Sequence, residues 1–262
     1  MNKKHILYPI IGIIILLFCQ EANAQGPPIF TETPIMLGLE GRGIRTFGKY
    51  ISKKNVKVYM QPIAIPFNIT PKWQVGGAVP LVNKVPNGLD SRFGLGDVKL
   101  FTKYQLHKKD GKGKTFRTLI KLTESFPTGN TSKIPSIGSG AYQTTFGLVS
   151  GYITLKYGIY GEIAYDFTSN GLPDNLIYNV AFGYPLLPQK YPPKQINLFL
   201  EFNGNLITDN GSNSLFISPG VQYIAGKRLL LETGIQLPLI EDVPDAQKTN
   251  FMYTLGTRIL IF

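Results

Sequence analysis

Charged side chains alternate with apolar ones along several segments of the chain, and their spacing limits the chemistry they can do. Glu162 and Asp166 lie in a stretch where every second residue is apolar, so a β-strand would place them on one face. Strand geometry separates them by roughly 13 Å, which is too far for both carboxylates to act on one bond. Other segments alternate in the same way, and charged residues lie on the less apolar face of each. Together these faces carry Asp97, Lys99, Lys103, Arg117, Lys121, Glu162, Asp166, Glu201 and Glu232.

This set predicts a pore lining. Bases predominate between residues 97 and 121, and acids between residues 162 and 232. If the strands close into a barrel, opposite charges line different walls of its interior. Such an arrangement would create a transverse field that orients ions and dipolar solutes.

Catalytic chemistry has few residues to use. The only cysteine is Cys19, and the only histidine beyond residue 5 is His107. A barrel enzyme acting on lipid or peptide generally needs a histidine beside a serine or carboxylate, and His107 falls at a predicted turn. The stretch GKGKT at 111–115 has Lys108 where a phosphate-binding loop needs its first glycine. The sequence therefore predicts no enzyme, no metal site and no cofactor.

The elements that position these charges are β-strands with two different faces. Residues 229–239 place Leu229, Leu231, Ile235 and Leu237 on one parity, and the opposite parity holds Leu230, Glu232, Gly234, Gln236 and Pro238. A period of two indicates a strand. Twelve such segments are predicted, at 42–51, 56–69, 73–82, 96–106, 115–126, 142–154, 157–168, 176–186, 196–207, 215–225, 228–239 and 250–262. The predicted fold is all-β, a transmembrane antiparallel β-barrel of about twelve strands, with ten to fourteen left open.

The start of the chain indicates secretion. Lys3 and Lys4 precede an apolar run from Ile6 to Phe18, and Ala22-Asn23-Ala24 provides a small-x-small cleavage site. We therefore expect residues 1–24 to be a cleaved signal peptide and residues 42–262 to be the barrel. Residues 25–41 show no alternation and could be a luminal plug, an extension of the first strand or a disordered lead. The predicted location is the outer membrane of a Gram-negative-type cell envelope.

The connections and the last residue indicate topology and partners. With both termini periplasmic, the long polar connections at 83–92, 127–141 and 241–249 become extracellular loops. Phe262 is typical of the terminal aromatic that barrel-assembly machinery recognises. If Phe262 faces lipid, Arg258 shares that face, so a bulge or the opposite parity stays open for the last strand. Lipid is the expected partner of the apolar face, and nucleic acid is not expected despite the net charge of +11.

Two further stretches carry a family resemblance. FGLGDVKLFTKYQL at 93–106 and LIKLTESFPTGN at 119–130 resemble the outer-membrane proteins of the meta-pathway of phenol degradation family, and PIFTETP at 28–34 and TPKWQVGGAVPLV at 70–82 agree more weakly. The resemblance implies a transmembrane barrel that transports small hydrophobic or aromatic compounds. It implies no catalytic residues.

Three functional hypotheses follow. The first is a passive outer-membrane channel for small solutes, with hydrophobic or aromatic compounds as one class. The second is a non-transporting structural or surface-interaction barrel with a filled lumen, because twelve strands lie between the eight that side chains can fill and the sixteen that leave a channel. The third is a secreted soluble β-sandwich that binds glycans.

Overall fold

A closed antiparallel barrel accounts for nearly all of the structure, a computed structural model that describes residues 26–188 and 193–261. The signal peptide predicted at 1–24 and the terminal Phe262 lie outside this range. The strands are β1 (Arg42–Lys53), β2 (Val56–Thr70), β3 (Trp73–Pro86), β4 (Arg92–Leu95), β5 (Lys99–Gly111), β6 (Lys114–Ser125), β7 (Gln143–Thr154), β8 (Gly158–Thr168), β9 (Asn175–Pro185), β10 (Lys194–Ile207), β11 (Asn213–Ala225), β12 (Leu229–Asp242) and β13 (Thr249–Ile261).

Twelve of these strands form the ring, which confirms the predicted barrel. Each pairs antiparallel with its neighbours, and β1 closes the ring by pairing with β13 from Arg42↔Ile261 to Lys53↔Thr249. The exception is β4, which pairs only with the second half of β3, at residues 81–84. Strand β5 pairs with the first half of β3, at residues 73–78. Within the described ranges, no helix has the length and hydropathy of a membrane span.

The region of β4 and β5 differs from the predicted strand at 96–106. The ring strand begins later, at Lys99, and continues to Gly111, so the predicted turn at 107–114 shrinks to Lys112 and Gly113. A bulge between Gln105 and His107 shifts the alternation. The residues after the bulge, His107–Asp110, are all polar. The end of this strand therefore lacks an apolar face and resembles a loop in sequence.

The two faces of the barrel expose different side chains. Ile163 is 53% exposed whereas its neighbour Glu162 is 7% exposed, and Leu255 is 60% exposed whereas Thr254 is 2% exposed. In a barrel, apolar residues that are exposed on alternate positions form the outward, lipid-facing band. The charged side chains at the buried alternate positions, such as Glu162, Glu201 and Glu232, point into the lumen.

The two ends of the barrel carry different connections. At the end where β1 begins and β13 finishes, most turns are short, such as 71–72, 112–113 and 226–228; we call this the short-turn end. The opposite, long-loop end carries 126–142 and 243–248. This asymmetry is typical of outer-membrane barrels, whose short turns are periplasmic.

Candidate functional site: the barrel lumen

Residues 26–41, the luminal segment, enter the barrel ahead of β1 and contact its inner wall. The Glu201 carboxylate on β10 accepts hydrogen bonds from the backbone N–H groups of Ile29 (2.8 Å), Phe30 (3.1 Å) and Thr31 (2.6 Å). Glu201 is fully buried. Hydrogen bonds to an ionised acceptor are about twice as strong as neutral ones, so one carboxylate fixes three consecutive residues of the segment.

A second attachment comes from two arginines that share one carboxylate. Arg45 on β1 and Arg258 on β13 contact Glu232 on β12 at 3.0 and 2.8 Å. Each arginine also donates to the luminal segment, Arg45 to the Ile29 carbonyl (2.8 Å) and Arg258 to the Pro28 carbonyl (2.7 Å). Arg258 therefore faces the lumen. The sequence left open a bulge or the opposite parity for the last strand. The structure shows the opposite parity, which brings the Arg258 guanidinium to the Glu232 carboxylate.

The remaining luminal pairs join β5, β6 and β8 to the segment. Lys103 forms an ion pair with Glu32 at 2.8 Å, and Lys121 forms one with Glu162. Glu162 also accepts from the backbone N–H of Glu32 at 3.1 Å. The expectation of opposite charges on separate walls is therefore wrong. Acids and bases meet, because the luminal segment and neighbouring strands bring them within contact distance.

Apolar packing seats the same segment. Ile29 packs in a buried cluster with Ile153, Tyr160, Ala181 and Phe199. Gly220 permits the close approach, since a Cβ there would lie 2.4 Å from Ile29 Cδ1. Two inward-facing aromatic side chains, Tyr160 and Phe199, therefore pack against the luminal segment.

Three of the other predicted pore residues have their polar contacts outside the luminal segment. Asp97 accepts from the backbone N–H groups of Gly129 (2.8 Å) and Ser139 (2.7 Å), so it holds the 126–142 loop. Arg117 lies 3.6 Å from Asp110 near the short-turn end. Asp166 accepts from Thr145 Oγ1 at 2.8 Å, and Lys99 is exposed at the start of β5.

Sequence reasoning missed Arg45, Lys49 and Glu32. The first two lie on one parity of a strand that was predicted correctly, with Phe47 between them, so their alternation was sufficient to place them in the lumen. Glu32 gave no such signal, because residues 25–41 do not alternate.

A cavity of about 270 Å³ lies on the long-loop side of the luminal segment. Ile29 and Phe30 form its floor, and Phe47 and Lys49 contribute one wall. Its remaining lining is polar, from Arg45, Asn179, Asn203, Gln236 and Thr254. Strands β1, β10 and β12 run from the short-turn end toward the long-loop end. Along them, Lys49 comes after Arg45, Asn203 after Glu201 and Gln236 after Glu232. The cavity therefore lies next to the charged attachments, on their long-loop side.

Metal-ligating side chains do not cluster in the described ranges. No group of three or more His, Cys, Asp or Glu side chains that could hold a metal occurs there. The His107 ring instead lies 5.8 Å from the ring of Phe116, whose side chain is on the outer face.

Comparisons with known proteins agree with this geometry. The model of the family described as "Putative MetA-pathway of phenol degradation" matches residues 48–255. An outer-membrane channel from Pseudomonas putida F1 superposes with a TM-score of 0.68 at 10% identity, over 89% of this chain and 100% of that one. The β domain of the Bordetella autotransporter BrkA gives 0.52 at 15% identity, over 84% and 99% of the two chains.

A third structure, the KdgM porin in complex with oligogalacturonate, gives a TM-score of 0.50 at 8% identity, over 84% of this chain and 98% of that one. No curated protein matches the chain significantly. At these identities the structural likenesses show the fold, which is that of an outer-membrane β-barrel.

Proposed function

The chain belongs to the MetA-pathway of phenol degradation family, and we propose that it is a passive channel for small solutes in the outer membrane. The observation that carries this proposal is the polar cavity in the lumen, above the luminal segment. A barrel with a filled interior would occupy such a space with side chains. Here it is lined by Lys49, Asn203 and Gln236 among others, which are groups that bind water and polar solutes.

The luminal segment acts as the restriction of this channel. Its apolar cluster around Ile29 and its bonds to Glu201, Arg45 and Arg258 occupy the lumen toward the short-turn end. The attachments are hydrogen bonds and ion pairs, so displacement of the segment breaks no covalent link. We propose that residues 26–41 set the size limit for solutes.

The substrate class is small hydrophobic or aromatic compounds. The family description concerns phenol degradation, and the cavity presents Phe30 and Phe47 beside its polar groups. Transport is non-enzymatic and uses no cofactor in this proposal. Lipid contacts the outward apolar band, and Phe262 is the proposed contact with the assembly machinery.

A non-transporting barrel is the second candidate, and the packing of Ile29 against Tyr160 and Phe199 favours it. Liposome swelling with uncharged solutes of graded size separates the two. We expect entry of the smallest solutes through the parent protein, and entry of larger ones through a variant that lacks residues 27–38. Heat-modifiable migration in gels must first show that both proteins fold.

Failure of both folded proteins to admit any solute would refute the channel and support the structural barrel. Identical size limits for the parent and the deletion variant would leave a channel but refute the restriction role of the luminal segment.

A further inference from the structure

The cavity above the luminal segment carries positive charge that the described chain does not neutralise. Lys49 lines it, and no ion pair or hydrogen bond of its ammonium group occurs within residues 26–188 and 193–261. The neighbouring Arg45 shares the single carboxylate of Glu232 with Arg258. The Glu201 carboxylate lies beneath the floor and is occupied by three backbone N–H groups. Since no carboxylate of the described chain pairs with the Lys49 ammonium group, the electrostatic field of this cavity favours an anion.

Two polar atoms of the wall also lack partners. Gln236 Oε1 and Thr254 Oγ1 are buried and accept or donate no hydrogen bond within the described residues. Their residues are only 4% and 2% exposed, and both line the cavity. Buried polar atoms are nearly always satisfied. An amide oxygen only accepts and a hydroxyl can do either, so a ligand that presents a hydrogen-bond donor would complete this wall.

An apolar surface lies between these two polar features. Ile29 and Phe30 form the floor, and Phe47 stands on the wall between Arg45 and Lys49. The Arg45 guanidinium carbon lies 4.8 Å from the centroid of the Phe47 ring, which orders that ring. Aromatic side chains favour an aromatic ligand in offset or edge-to-face contact.

We propose that this cavity is a binding site for small hydroxylated aromatic carboxylates. The carboxylate pairs with Lys49, the ring contacts Phe30 and Phe47, and the hydroxyl donates to Gln236 Oε1. A volume of about 270 Å³ is just below the roughly 300 Å³ at which pockets for drug-sized ligands begin, so one ring is the expected size. The site rests on the proposed channel function, because it names the solute that the channel would select.

Calorimetric titration of the folded, detergent-solubilised protein tests the site with three probes: 4-hydroxybenzoate, 4-hydroxybenzyl alcohol, which has the same ring and hydroxyl but no carboxylate, and inorganic phosphate. We expect 4-hydroxybenzoate to bind more tightly than either of the others. Lys49→Met should weaken its binding about tenfold or more, as expected for loss of a hydrogen-bonded charge partner.

The matched control is Lys99→Met, which removes a lysine that does not line the cavity and should leave binding unchanged. If Lys49→Met fails the heat-modifiability test for folding, Lys49→Gln replaces it. Equal binding of 4-hydroxybenzoate by the parent and the folded Lys49 variant would overturn the proposal. Binding of phosphate as tight as that of 4-hydroxybenzoate would show a simple anion site and would overturn it too.

Conductance separates this result from the proposed function. A parent protein that conducts ions but does not bind 4-hydroxybenzoate refutes the site and leaves the channel. A parent that binds 4-hydroxybenzoate but never conducts refutes the channel and leaves a binding barrel.

Discussion

Replacement of Glu201 by Gln should release the luminal segment. The carboxylate accepts from three consecutive backbone N–H groups, Oε1 from Ile29 and Phe30, and Oε2 from Thr31 and Phe30. Glutamine keeps one acceptor oxygen and turns an NH₂ group toward the remaining donors. At least one charge-assisted bond is lost, which costs about 1.5–3 kcal/mol. The population with a displaced segment should therefore rise roughly tenfold to hundredfold.

Cysteine accessibility measures that population. Thr31→Cys places a thiol of similar size at a residue that is 4% exposed, and the only natural cysteine is Cys19, in the predicted signal peptide. In this background, Glu201→Gln should accelerate modification by a water-soluble maleimide by the same tenfold to hundredfold. Asp166→Asn, which neutralises a luminal acid that contacts Thr145 instead of the segment, should leave the rate unchanged. A Glu201→Gln rate within twofold of the parent rate would refute the role given to this carboxylate.

Three further predictions concern the barrel. Leu255→Arg, on the lipid-facing side, should lower the free energy of unfolding by ~2–4 kcal/mol, measured by urea titration in lipid vesicles. Asn205→Arg, on the luminal face, should change it by less than ~0.5 kcal/mol. Equal costs for the two variants would contradict the assigned faces. Glu232→Gln should lower the free energy of unfolding by ~3–5 kcal/mol in the same assay, because it leaves Arg45 and Arg258 without their buried carboxylate partner. A loss no larger than that caused by Asp166→Asn would contradict this pairing. Epitope tags inserted at residues 88 and 245 should label on intact cells, and labelling only after permeabilisation would reverse the topology.

The barrel could be predicted from sequence because strand alternation is a local signal. In β8, Glu162 and Ile163 face opposite sides as the period of two requires. The signal failed at β5, where the bulge after Gln105 shifts the alternation within a polar run. It also missed β4, whose four residues are too few for a periodic pattern.

The site could be predicted only in part. Parity placed Glu201 and Glu232 in the lumen, but it could not reveal their partners, since Ile29 and Arg45 are 172 and 187 residues away in sequence. The luminal segment has no regular secondary structure, so no periodicity marks it. Its position depends on long-range contacts that a single sequence does not display. The partners of Asp97 could not be predicted for a related reason, because the loop that it holds begins about thirty residues later in the chain.

Single-channel recording in planar lipid bilayers tests the central claim most directly. Glu162 and Glu232 form ion pairs, whereas Lys49 lines the cavity without a partner among the described residues, so the unpaired charge at the cavity is positive. We predict discrete conductance steps from the purified parent protein and a reversal potential in a salt gradient that indicates preference for anions. A folded, inserted protein that shows no conductance, with or without residues 27–38, would contradict the account.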